Sequence, residues 1–296
     1  MNTFHLPDET RLSRVHLRTG NLARVLEFYQ TVIGLQVIDR SPVTASLSAT
    51  GHAPAILILT VDPNAVRRPQ RATGLYHLAI RYPTRRDLAH ALVRLVQANH
   101  SVSGGSDHPF GYSIYLDDPD GNGVELYFDW PRSQWPARRN GLIVLAGNAP
   151  LDFDHLLGSV DGEEVPAHAA AGTDMGHINL HVPDLAAAEK FYRDFLGFEV
   201  TAHIGPDGRF LATGGYHHHI AINNWAGTTT APKNAVGLIS YRLAVPDVQV
   251  LANLEERAWL LGHEARMADD VLQIRDPNGH WLELEAVSQA SAVAAL

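Results

Sequence analysis

The chain has 296 residues, 45% of them hydrophobic, and a net charge of −9, enough for two compact domains or one large one with a substantial core. Lys and Arg are scattered, which argues against a nucleic-acid footprint or a polybasic membrane patch, and the absence of cysteine excludes disulfides, thiolate metal sites and a thiol nucleophile. No apolar run approaches the roughly 18 residues of a membrane span, and MNTFHLPDETRL lacks the pattern of a secretory signal, so a cytoplasmic location is the expectation.

Laid against itself, the sequence repeats one pattern four times, each copy roughly fifty to sixty residues long. The first opens RLSRVHLRTGNL and runs into ARVLEFYQTVIGLQVI; the third opens GHINLHVPDL and runs into AAAEKFYRDFLGFEV. In both, a short strand leads through Asn21 or Asp184, each a helix cap, into an amphipathic helix closed by Gly34 or Gly197. Phe28 with Tyr29, and Phe191 with Tyr192, hold equivalent helical positions. The second copy begins GLYHLAIRYPTRRDLAHALVRLVQ and the fourth GLISYRLAVPDVQVLANLEERAWLL, again strand, Pro, helix.

The second and fourth copies end in the same device, DPDGNGVEL and DPNGHWLEL: a tight acidic turn, then a strand carrying Glu125 or Glu283. In the turn before Glu125, Pro119 presets φ, Asp118 and Asp120 bond neighbouring amides, and Gly121 supplies a positive φ. Period-two reading puts Glu125, Tyr127 and Asp129 on one face of the strand and Val124, Leu126 and Phe128 on the other. Each copy therefore reads as βαβββ. The expected fold is α+β, with four βαβββ modules forming two paired-module domains whose curved mixed sheets surround concave pockets. The modules fall at 10–70, 71–131, 173–231 and 232–288. Residues 132–172 are the connecting segment, with a short helix near LDFDHLL, and the tail SQASAVAAL reads as frayed.

Four βαβββ modules with this ending resemble the vicinal oxygen chelate superfamily, which includes glyoxalase I, bleomycin-resistance proteins, fosfomycin-resistance enzymes and extradiol catechol dioxygenases. The resemblance spans about Arg11 to Ala286. In that superfamily, metal ligands come from the first and last strands of paired modules. Aligned on the Pro, or its equivalent, before each helix, the first-strand positions are Arg14, His77, His177 and about Ser240 to Arg242. His77, Glu125 and His177 are thus the implied metal ligands, two imidazoles and a carboxylate of the kind suited to Fe(II), with Mn(II) or another divalent metal as the alternative. His16 and His181, two residues from the aligned positions, are fallback ligands or pocket-lining groups.

The likeness is greatest to catechol 2,3-type dioxygenases. Those enzymes carry a segment like SFY(V)xTPSGFxVE, whose Tyr bonds the substrate ten residues before the ligand Glu; here Tyr115 stands ten residues before Glu125. They also carry RHHSLAF or a variant, whose His beside Ser or Thr is the active-site acid and base; YHHHIAI puts His218 there, with His219 in place of Ser or Thr. His108, in GGSDHPFGY, is the nearest candidate for a further pocket histidine. The implied partners are a small aromatic diol and dioxygen, in a monomer or a homo-oligomer.

One departure matters. In the two-domain relatives the fourth module supplies a histidine and a glutamate to join the third module's His, whereas here the fourth has no first-strand histidine. The complete set lies in modules two and three. These two are expected to pair around the live site, and modules one and four around a degenerate one in which Arg14, Arg242 and Glu283 form an ionic plug. Two other readings stay open: a glyoxalase-like divalent-metal lyase or isomerase, with His218 or His219 as a fourth ligand, and a metal-free binding protein of the bleomycin-resistance type.

Overall fold

The structure is a computed structural model that describes residues 4–145 and 147–287; the tail read as frayed lies outside the described residues. The first unit comprises β1 (Arg11–Thr19), α1 (Leu22–Thr31), β2 (Gln36–Arg40), β3 (Thr44–Ser48) and β4 (Leu57–Val61). The second comprises β5 (Gly74–Arg81), α2 (Arg85–Gln97), β6 (Gly104–His108), β7 (Gly111–Asp117) and β8 (Gly123–Asp129). A connector holds β9 (Arg138–Arg139), β10 (Leu142–Ile143), β11 (Ala149–Pro150) and α3 (Phe153–Gly158). The third unit has β12 (Asp174–His181), α4 (Leu185–Lys190), β13 (Glu199–Ile204), β14 (Gly208–Ala212) and β15 (Ile220–Asn223). The fourth has β16 (Gly237–Val245), α5 (Val248–Leu261), β17 (Ala265–Ala268), β18 (Val271–Arg275) and β19 (Trp281–Ala286).

The helices start where the sequence places caps: the side chains of Asn21, Thr84, Asp184 and Asp247 each accept an amide hydrogen from the first turn that follows. In the third unit α4 continues into a wider turn over Phe191–Phe195, where the amide of Leu196 reaches back to Phe191 O at 3.0 Å. Each helix buries an apolar stripe, as α1 does with Leu22, Val25, Leu26, Phe28 and Tyr29.

Strand pairing crosses the chain order. One mixed sheet runs β11-β6-β7-β8-β5-β12-β15-β14-β13, joining the second and third units; the other runs β17-β18-β19-β16-β1-β4-β3-β2, joining the fourth and first. Within each unit the last strand lies parallel to the first, and at each junction the two first strands pair antiparallel. The curled sheets therefore contain two junctions of the same construction. The connector does more than link: β11 extends the edge of its sheet beside β6, and α3 starts on an Asp152 cap bonded to His155 N at 2.9 Å and packs against α2.

Consecutive units are tied by buried tyrosines. Tyr29 Oη donates to Asp118 Oδ2 at 3.3 Å, and Tyr192 Oη reaches Asp276 Oδ2 at 3.5 Å, beside Tyr241 Oη at 2.8 Å. The other oxygen of each aspartate accepts two amides of its own turn, from Asp120 and Asn122 in one and from Asn278 and His280 in the other. The acidic turn is thus both a hairpin corner and a socket for the preceding unit's tyrosine. No helix among the described residues is long and apolar enough to cross a membrane.

Candidate metal centre

β5 and β8 run parallel and bring Ala79 opposite Glu125, while β12 runs antiparallel to β5 with His177 opposite Ala79 and Asn179 opposite His77. This register sets His77, Glu125 and His177 on one face at the junction. Their donor atoms all lie within 4.8 Å of one another. Glu125 Oε2 is 3.0 Å from His77 Nε2 and 3.1 Å from His177 Nε2. The other carboxylate oxygen, Oε1, accepts from Ser113 Oγ at 2.5 Å. The Tyr127 side chain packs directly on the backbone beside His177: a Cβ at Gly176 would fall 1.8 Å from Tyr127 Oη, so a larger residue there would have to displace that buried ring.

All three residues are buried. Burial alone would raise the Glu125 pKa, but the contact with His177, and then that with His77, holds it well below the usual carboxylate range. Burial pushes the His177 pKa down to about 4, so its imidazole is neutral and available as a ligand. The two nitrogens crowd one carboxylate oxygen, and His77 Nε2 is aligned for no hydrogen bond despite its 3.0 Å distance from Glu125. A buried nitrogen left without a partner beside a second imidazole and an anionic oxygen fits a divalent metal.

The triad forms one wall of a cavity of about 230 Å³. His218 lines it with its ring stacked on Phe210, 3.9 Å between centroids at 7°, and 4.1 Å from the His177 ring. Burial, then His177 and His217, hold its pKa well below the ordinary histidine value. Tyr115 also faces the cavity, its Oη bonded to His108 Nε2 at 2.9 Å, and burial beside Glu125 raises its pKa. Tyr76 and Trp225, in edge contact at 5.7 Å and both partly exposed, stand on another wall.

The remaining sequence candidates lie elsewhere. His16 is on β1 in the other sheet, bonded to Thr60 Oγ1 at 2.8 Å, so it reaches neither the triad nor the cavity. His181 pairs through Nδ1 with Asn223 Oδ1 at 2.6 Å and gives no donor to the converging group. His219 is buried against Tyr216 and Phe198 and does not line the cavity. Neither His218 nor His219 joins the three-donor group.

Three polar residues without an assigned role in the sequence complete the surroundings. Ser113 shares strand parity with Tyr115 and holds the back of Glu125. Asp129 shares parity with Glu125 and accepts from His217 Nε2 at 2.9 Å and from Tyr216 Oη at 2.7 Å. Burial alone would raise the Asp129 pKa, but the hydrogen bond from His217, the charge of Arg81 and the bond from Tyr216 hold it below the usual range. His217 had no signal beyond its place in a run of three histidines.

Paired βαβββ units curling around a two-histidine, one-carboxylate set define a class, and the chain belongs to it: the glyoxalase/bleomycin resistance protein/dioxygenase superfamily matches residues 11–126 and 174–284. Among individual proteins, the chain is 39% identical over 281 residues to a catechol-2,3-dioxygenase of Bacillus subtilis (strain 168), covering 94% of this chain and 96% of that one. Two solved structures share the fold. A protein of Bacillus subtilis subsp. subtilis str. 168 aligns with a TM-score of 0.67 at 14% identity, over 93% of this chain and 84% of that one. Glyoxalase I of Zea mays aligns with a TM-score of 0.55 at 15% identity, over 96% and 94%.

Proposed function

We propose that this chain is a metal-dependent extradiol ring-cleaving dioxygenase acting on a catechol-type aromatic diol, located in the cytoplasm. The observation that carries the reading is the convergence of His77, Glu125 and His177 on one wall of a cavity that His218, Tyr115 and His108 also line. The similarity along nearly the whole chain to a catechol-2,3-dioxygenase supports it. A donor group of three rather than four disfavours the four-ligand lyase reading, and a buried, unpartnered ligand nitrogen disfavours the metal-free one.

His77, Glu125 and His177 would hold the ion. Fe(II), or Mn(II), bound there supplies redox coupling between diol and dioxygen and open coordination positions for the diol oxygens. The chain's own residues do the rest. Phe210, Trp225 and Tyr76 give the cavity aromatic walls that take a flat ring and exclude water. Tyr115, protonated at neutral pH and steadied by His108, donates a hydrogen bond to a substrate oxygen. His218, neutral and buried, takes a proton from the entering diol and returns one as the ring opens beside the diol, with both atoms of dioxygen incorporated.

The test is metal analysis combined with oxygen uptake on a catechol panel, following the ring-opened yellow product. Glu125→Ala is expected to lose stoichiometric metal, and His219→Gln to keep it. His218→Gln is expected to keep metal and diol binding while turnover falls by about 10² to 10⁴. No oxygen uptake by the metal-loaded wild type would remove the dioxygenase reading; equal metal loss from the Glu125 and His219 variants would restore the four-ligand lyase.

A further inference from the structure

Behind His218 lies a hydrogen-bonded file that leads away from the cavity. His218 Nδ1 is 2.7 Å from His217 Nδ1, and His217 Nε2 is 2.9 Å from Asp129 Oδ1. The second oxygen of Asp129 accepts from Tyr216 Oη at 2.7 Å and faces Arg81 Nη1 at 3.5 Å. The His217 ring is fixed in place: it stacks on Phe110 with 4.8 Å between centroids at 22° and meets Trp135 edge-on at 5.1 Å. His218 lines the cavity, and among the described residues its only hydrogen bond to a side chain is the one through Nδ1.

These contacts determine where the hydrogens go. A carboxylate only accepts, so His217 Nε2 carries the hydrogen that bonds Asp129. Two nitrogens 2.7 Å apart share one hydrogen between them. With its hydrogen on Nε2, a neutral His217 has Nδ1 bare and accepts there from His218 Nδ1–H. We propose that Asp129 and His217 are positioning residues that fix His218 as the Nδ1–H tautomer, leaving Nε2 as the bare nitrogen available to a diol hydroxyl. A lone imidazole has two neutral tautomers, and only one of them presents a lone pair from a given nitrogen; this file selects that one before substrate arrives. The proposal rests on His218 being the base of the proposed dioxygenase, and its consequence for protonation is independent of that.

Asp129→Asn gives a directed test. In that variant the amide oxygen belongs on the side of Tyr216 and Arg81, which both donate, so the amide nitrogen faces His217 Nε2. His217 must then accept there and carry its hydrogen on Nδ1, which forces His218 to hold its own on Nε2. The primary readout is the tautomer of His218 in Zn(II)-loaded protein with ¹⁵N-labelled histidine, from long-range proton–nitrogen correlations assigned with His217→Gln and His218→Gln. The wild type is expected to show a protonated Nδ1 and a bare Nε2, and Asp129→Asn the reverse. A protonated Nε2 on His218 in the wild type, as a doubly protonated His217 would impose, overturns the proposal without any variant having to fold.

The second readout is kinetic. Asp129→Asn is expected to keep metal content and KM while kcat falls about 10- to 100-fold, and the loss is expected to shrink for nitro-substituted catechols, whose first proton leaves easily. A purely structural lesion would lower turnover equally on all catechols. If His218→Gln leaves turnover unchanged, the base assignment falls while the tautomer result stands. If His218→Gln is crippled and Asp129→Asn is as active as wild type, the positioning role falls while the base assignment stands.

Discussion

The two sheets place the same backbone junction around opposite chemistry. Superposing registers, His177 corresponds to Arg14, Asn179 to His16, His77 to Ser240, Ala79 to Arg242 and Glu125 to Glu283. The carboxylate is common to both. In one junction it faces two imidazoles; in the other it is held by Arg14 Nη2 at 2.8 Å and Arg242 Nη2 at 2.7 Å, with Arg242 also reaching Glu285 at 2.9 Å. Burial alone would raise the Glu283 pKa, yet Arg242 and Arg14 hold it below the usual range, while burial and the neighbouring Arg242 lower that of Arg14. A guanidinium brings its own cation to the carboxylate, and an imidazole leaves that place to a ligand. The scaffold therefore supplies one fixed carboxylate per junction, and the partner side chains decide between an ion pair and a converging donor set.

The strongest way to test that contrast is to exchange the partners. Arg14→His combined with Ser240→His and Arg242→Ala rebuilds the donor set around Glu283, and the triple variant is expected to bind one divalent ion more than the wild type by equilibrium dialysis. The reciprocal change, His177→Arg, is expected to abolish ion binding at Glu125. No extra ion in a folded triple variant would show that the two junctions differ in more than these side chains.

A smaller effect is expected from Glu283→Ala, which leaves Arg14 and Arg242 facing each other across a half-buried junction. Breaking one side of such a pair costs about 3 kcal/mol, the low end for buried pairs because both arginines keep some water. Urea denaturation should detect this with metal content at the other junction unchanged. A midpoint equal to wild type would mean the plug is solvated and its charges uncoupled.

The smallest contrast concerns His219, whose counterpart by register is Ile56; their carbonyls accept from Ile178 N at 3.1 Å and Val15 N at 3.0 Å. Burial, with the nearby charge of Arg81, pushes the His219 pKa down to about 3, and its Nδ1 has no partner. In the unfolded chain the value is about 6.5, so between these limits the unfolded state binds the extra proton. The stability contributed by burying a neutral ring is whole above about pH 6.5 and is lost as pH falls, by about 1.4 kcal/mol per pH unit. His219→Ile is expected to keep its urea midpoint between pH 7 and 5 better than wild type, by about 2 kcal/mol at pH 5. Parallel losses in the two proteins would assign the acid sensitivity to other groups.

Much of this organisation was legible because it is local. Caps, turn glycines and the Asp118 to Asn122 corner are spelled by neighbouring residues, and strand parity put Glu125, Tyr127 and Asp129 on one face. The pairing of the second and third units is not local, yet the lopsided distribution of histidines among the repeats pointed to it. Other features stayed hidden. The socket role of Asp118 depends on Tyr29, which lies 89 residues earlier, and the His217 to Asp129 contact spans 88 residues between strands of different units. The sheet-extending β11 is two residues long, below any periodicity that a sequence can display. His16 had the parity of a ligand, but parity says nothing about which sheet a strand joins.

The separation of the three candidate ligands along the chain has a consequence in time. His77 and Glu125 belong to one half of the polypeptide and His177 to the other, with 52 residues between the carboxylate and the second imidazole. At the usual pace of synthesis of about 5–20 residues per second, Glu125 leaves the ribosome roughly 3–10 seconds before His177. Throughout that interval β5 offers an unpaired edge where β12 will dock, and the carboxylate has one imidazole beside it instead of two. The candidate donor set is therefore complete only late in biogenesis. A nascent chain stalled in the connector carries an open strand edge and an incomplete donor set.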